Sequence, residues 1–106
     1  MENQEKLIEL QQIEQTLQNL LLQKQAFQME SSETSSAITE LEKSGDEIFK
    51  IIGQLMIKSE KSKIKEELEN KQKILSLRLK SFDKQESSLT KQLESIREEL
   101  LEKKKK

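Results

Sequence analysis

The sequence predicts a mainly α chain, a long antiparallel two-helix coiled coil with a central β-hairpin. Three observations carry that prediction. Apolar residues recur at alternating spacings of three and four in both halves of the chain. A dense β-branched stretch containing one glycine lies between the halves. The 106 residues are 37% charged and 32% apolar, with no proline, which is too little apolar mass for a compact globule. Such a composition suits disordered chains and long helical assemblies alike; the order of the residues decides for the second.

The first helix is expected from about Asn3 to Lys43. Leu10, Ile13, Leu17, Leu20, Phe27, Ile38 and Leu41, with Lys24, Ser31 and Thr34 in the gaps, form one unbroken a/d heptad series. Gln, Glu and Lys fill the flanks and favour helix. Some forty residues at this rise make a rod of roughly 60 Å. Lys43-Ser44-Gly45-Asp46 ends the helix, with Gly45 suited to the left-handed position that follows a helix C-terminus.

Next comes Ile48-Phe49-Lys50-Ile51-Ile52-Gly53-Gln54-Leu55-Met56-Ile57-Lys58. It reads as two five-residue strands around a tight Gly53-Gln54 turn. A helical reading stays open, because one glycine costs only about 1 kcal/mol inside a helix.

The second helix is expected from about Glu60 to Lys103, opened by a Ser59 or Ser62 cap. Its seam is Leu68, Gln72, Leu75, Leu79, Phe82, Glu86, Leu89, Leu93, Ile96 and Leu100, eight of those ten being apolar. Two stripes of similar length around a short connection favour pairing within the chain over pairing with other chains, because a short loop costs little to close. Residues 1–106 thus read as a single domain, with helices at 3–43 and 60–103 and a hairpin at 47–58.

The hairpin carries seven apolar side chains: Ile48, Phe49, Ile51, Ile52, Leu55, Met56 and Ile57. Side chains alternate along a strand, so both faces are largely apolar. The end of the coiled coil is expected to cover one face. The other face and the strand edges call for hairpins of other subunits, since a lone two-stranded hairpin is marginal in water. The alternative is a hairpin folded wholly against its own helices. At the other end of the helices, Leu7, Ile8 and Leu101 flank the seam residues Leu10 and Leu100 without fitting the stripe. These five are the candidate apolar tips, offering weak contacts that several copies would multiply.

Other chemistry is thin. With no His and no Cys, the common zinc sets and nucleophilic triads are excluded, and two glycines do not build a phosphate loop. No enzyme, cofactor or metal is expected. Glu66, Glu67 and Glu69 read as solvated helix surface, and Gln23-Lys24-Gln25 and Lys84-Gln85-Glu86 as coiled-coil flanks. The Lys103–Lys106 tail reads as a solvated end that can also touch an acidic partner. Nineteen basic against twenty acidic residues gives no basic excess for nucleic acid. No apolar run reaches the roughly 20 residues of a membrane span. The polar start Met1-Glu2-Asn3-Gln4 is unlike a signal peptide. A cytoplasmic protein is expected.

The middle segment carries a resemblance. Asp46-Glu47-Ile48-Phe49-Lys50-Ile51-Ile52-Gly53, then Leu55-Met56-Ile57-Lys58, resembles the hairpin signature of beta-type prefoldins. The helix opening Lys63-Ile64-Lys65-Glu66-Glu67-Leu68 and the two flanking triplets named above are also similar to the family. The likeness covers nearly the whole chain and looks archaeal. It departs at Phe49, where tyrosine is common, and in a short N-terminal arm. One hairpin rather than two points to the beta class. The resemblance implies a hexamer of two alpha-type and four beta-type prefoldin subunits whose hairpins form β-barrels. It further implies ATP-independent capture of unfolded client proteins at the tips and their delivery to a group II chaperonin. The competing readings are a structural coiled-coil scaffold without clients and a subunit of the eukaryotic complex.

Overall fold

A computed structural model describes the backbone of residues 2–104 and the side chains of residues 3–102. The elements run α1 (Glu2–Lys43), β1 (Ile48–Ile52), β2 (Leu55–Ser59) and α2 (Lys61–Lys104). The helices and strands fall where the heptads and the β-branched stretch place them. The side chains of the Lys103–Lys106 tail, expected to be solvated or to touch an acidic partner, lie outside the described residues.

The chain divides into two compact units. One, here the terminal unit, joins residues 1–26 to 79–106; the other, the hairpin unit, is residues 27–78. In the terminal unit the helices are antiparallel, as the pairs Lys6–Glu99, Glu14–Arg97 and Lys24–Glu86 show. Ile13, Leu93 and Ile96 form its buried cluster, with Leu10, Leu89 and Leu100 packed against it. Leu20 and Phe82 are buried in the same unit. In the hairpin unit the helices are again antiparallel, through Glu30–Lys71 and Glu42–Lys65. Leu41, Leu75 and Thr34 are its buried side chains. All twenty heptad positions read from the sequence are buried or half-buried, against few of the others. A stripe of a and d residues is the only surface two helices can bury against each other at this spacing.

The strands pair antiparallel from Ile48 opposite Ser59 to Ile52 opposite Leu55. Gly53 has φ 60°, while Gln54, like every other non-glycine residue described, avoids positive φ. That combination is a type II′ turn, whose twist suits a two-residue hairpin.

Two terminus expectations are corrected. Gly45 is not left-handed; Gly53 is the one described glycine with positive φ. The end of α1 is closed by Ser44 instead, whose N–H and hydroxyl both donate to the Leu41 carbonyl at 3.2 and 2.7 Å. Lys61 Nζ then donates to the Ser44 carbonyl at 2.8 Å. With the Leu41 and Ser44 carbonyls served this way, the helix ends without a left-handed residue. Nor does serine cap α2. Glu60 precedes its first residue and accepts the Ile64 N–H at 3.1 Å. The Ser59 hydroxyl donates back to the Ile57 carbonyl, and Ser62 lies within the first turn.

Candidate assembly and client-binding surfaces

The hairpin register sorts its side chains. Ile48, Lys50, Ile52, Leu55, Ile57 and Ser59 share one face; Phe49, Ile51, Met56 and Lys58 share the other. On the first face Lys50 reaches Glu67 of α2 at 2.9 Å, which draws the base of the hairpin toward that helix. The expected cover from the chain's own helices nevertheless stops there. Only Ile48 and Ser59 are half-buried, and every hairpin residue between them is exposed. Leu55 on one face and Ile51 and Met56 on the other are 66%, 69% and 66% exposed. The connections are short, four residues from α1 to β1 and one from β2 to α2, and leave the strands little slack to fold back over the helices. Both faces and both strand edges are open. Water does not stabilise such a sheet alone, and contiguous apolar surface of this kind marks an interface.

The five tip residues divide. Leu10 and Leu100 pack against the terminal cluster and belong to the seam. Leu7, Ile8 and Leu101 stand out from it, the last two 56% and 60% exposed. Lys6 pairs with Glu99, so the first turns of α1 and the last turns of α2 lie side by side.

Two features escaped sequence reasoning. The first is what the polar seam residues do. Lys24 Nζ sits 2.7 Å from Asp83 Oδ1 and 2.8 Å from Glu86 Oε2. Hydrogen bonds that the Lys24 ammonium donates to Asp83 and then Glu86, with the charges of those carboxylates, raise the Lys24 pKa above its usual value, against a smaller opposing effect of desolvation. In the hairpin unit Gln72 Nε2 donates to the hydroxyls of Ser31 and Ser35 at 2.9 and 3.1 Å. The signal was present, since the polar gaps Lys24 and Ser31 in one stripe face the polar gaps Glu86 and Gln72 in the other, while the third, Thr34, donates to the Glu30 carbonyl of its own helix, but only the register reveals the pairing. The second feature is apolar residues outside the seam, Leu22, Met29, Ile74 and Leu77, all exposed. Ile74 lines a shallow groove of the hairpin unit with Phe27 and Arg78, the guanidinium lying 6.0 Å from the ring centre.

Among the described residues no cluster of three or more His, Cys, Asp or Glu side chains is placed to hold a metal ion. No described helix is long and apolar enough to cross a membrane.

Long paired helices joined by a bare apolar hairpin define a small coiled-coil subunit, and the model of a family of chaperone subunits, described as prefoldin subunit, matches residues 4–106. The chain belongs to the prefoldin family. It is 34% identical over 103 residues to the prefoldin subunit beta of Sulfurisphaera tokodaii, covering 95% of this chain and 82% of that one. It is 35% identical over 99 residues to the prefoldin subunit beta of Methanothrix thermoacetophila, covering 92% and 82%. The crystal structure of the prefoldin beta subunit from Thermococcus strain KS-1 superposes with a TM-score of 0.87 at 32% identity, covering 93% of this chain and 89% of that one.

Proposed function

We propose that the chain is a beta-type prefoldin subunit of a cytoplasmic, non-enzymatic holdase. It assembles through its hairpin with alpha-type subunits and further beta copies, two alpha and four beta. The carrying observation is the hairpin, apolar and exposed on both faces from Phe49 to Ile57. A sheet open on two sides gains most by joining hairpins of other subunits into a closed barrel, which removes both edges at once. In this reading Leu7, Ile8 and Leu101 meet unfolded client chains. Each contact is weak and adaptable, and several tips acting together raise the effective concentration. Such holding uses no ATP, and clients pass to a group II chaperonin. The family and the 34% identity to an archaeal beta subunit support this reading.

The test is the double variant Ile51→Asp/Ile57→Asp, one carboxylate on each face of the sheet. Mixed with an alpha-type partner, it remains helical by circular dichroism but runs as a single subunit in native mass spectrometry. A hexamer formed by this variant would refute assembly through the hairpin.

A further inference from the structure

Most seam positions of the terminal unit are apolar, and Lys24 and Glu86 are the two exceptions. They meet each other. Lys24 holds two carboxylates within 2.8 Å, its side chain is 20% exposed, and both partners of its ammonium come from α2. We propose that the Lys24–Asp83–Glu86 cluster is a pairing-specificity element: it sets the register of α1 against α2 in the terminal unit and rejects like-with-like pairing between copies.

The argument is one of alternatives. Leucines such as Leu10, Leu17, Leu89 and Leu93 pack acceptably against many neighbours, so an apolar seam specifies register weakly. Lys24 does not have that freedom. A slip of one heptad along α2 sets its ammonium against Leu79 or Leu93, where no carboxylate replaces the lost ones and the charge is stranded. Pairing α1 with α1 of another copy in parallel puts Lys24 on Lys24; pairing α2 with α2 puts Glu86 on Glu86. Both set like charges against each other at close range. Only α1 against α2 in the observed register brings unlike groups together. The Asp83 carboxylate, one turn from Glu86, makes the site asymmetric and so favours one register further. The element acts whatever the hairpin binds.

Cross-linking decides it, because the chain has no cysteine and engineered thiols are the only ones present. Glu14→Cys with Arg97→Cys reports the observed register; Glu14→Cys with Thr90→Cys reports a one-heptad slip. Glu14→Cys alone reports α1 meeting α1 of another copy. With Lys24 and Glu86 intact, a short bis-maleimide links 14 to 97 about tenfold more than 14 to 90, and links 14 to 14 scarcely at all. Lys24→Leu/Glu86→Leu makes the seam apolar throughout, so the helices persist. In that background the 14–90 and copy-to-copy products rise to rival the 14–97 product. Lys24→Glu, facing two carboxylates, loses the 14–97 product, and Lys24→Glu/Asp83→Asn/Glu86→Lys restores it. If the Leu/Leu variant still gives the 14–97 link alone and undiminished, the apolar residues set the register and the proposal is overturned.

Discussion

At Gly53 the backbone adopts φ 60°, a conformation that L side chains reach only with strain, and a Cβ there meets nothing within 4 Å. The cost of Gly53→Ala is therefore purely conformational, about 1–2 kcal/mol against the turn. Gly45 has equal space around it and a negative φ, so Gly45→Ala raises stability by about 0.5 kcal/mol by restricting the unfolded chain. Urea unfolding followed by circular dichroism should give the two variants opposite signs. Lys24 supplies a prediction in pH. Its folded pKa is raised, so its contribution is complete below the ordinary lysine value of 10.5 and is lost as pH climbs through the higher folded value. The stability of the natural chain relative to Lys24→Met should hold level from neutral pH to about that point and fall above it, as thermal melts across alkaline buffers would register.

Along the helices, exposure separates seam from flank sharply. Leu75 is 4% exposed and Leu77, two residues on, is 67% exposed. Leu75→Ala should cost about 2–5 kcal/mol by leaving a cavity, and Leu77→Ala stay within about 0.5 kcal/mol; melting of the two single variants tests the contrast. This much was legible in the sequence, because a 3-4 spacing leaves two paired helices one stripe to bury, and Leu10 through Leu41 and Leu68 through Leu100 mark it. The hairpin was legible less firmly, since β-branched residues around Gly53 favour strands yet left a helix open, and the resemblance to the family carried part of the reading. What a one-dimensional pattern does not carry is which distant residue stands opposite. Lys24 and Glu86 were visible as gaps in two separate stripes, and their meeting depends on the register of one helix against the other. Gly45 misled for a related reason. A left-handed glycine is one of several ways to end a helix, and Ser44 with Lys61, brought close by the hairpin, supplies another. The uncovered hairpin faces also depended on distance, here the shortness of the connections, which leave the strands little slack to fold back over the helices.

For the whole molecule, assembly and client capture should be separable, because they are assigned to different units of the chain. Removing residues 1–9 and 100–106 deletes Leu7, Ile8 and Leu101 and leaves the hairpin sequence intact. The truncated chain should still assemble with an alpha-type partner by native mass spectrometry, yet suppress aggregation of an unfolded model protein less well. Equal protection would move the client surface to the flanks, where Leu22, Met29, Ile74 and Leu77 are exposed. The bare hairpin has one more consequence, which concerns supply. A subunit that hides its apolar strands only inside an assembly remains dispersed in proportion to the partners available to it. Copies made in excess carry an uncovered Ile-Phe-Lys-Ile-Ile strand with low charge, a segment suited to stacking on its own kind. If the hairpin assembles as proposed, the amount of partner therefore sets how much of this chain remains dispersed.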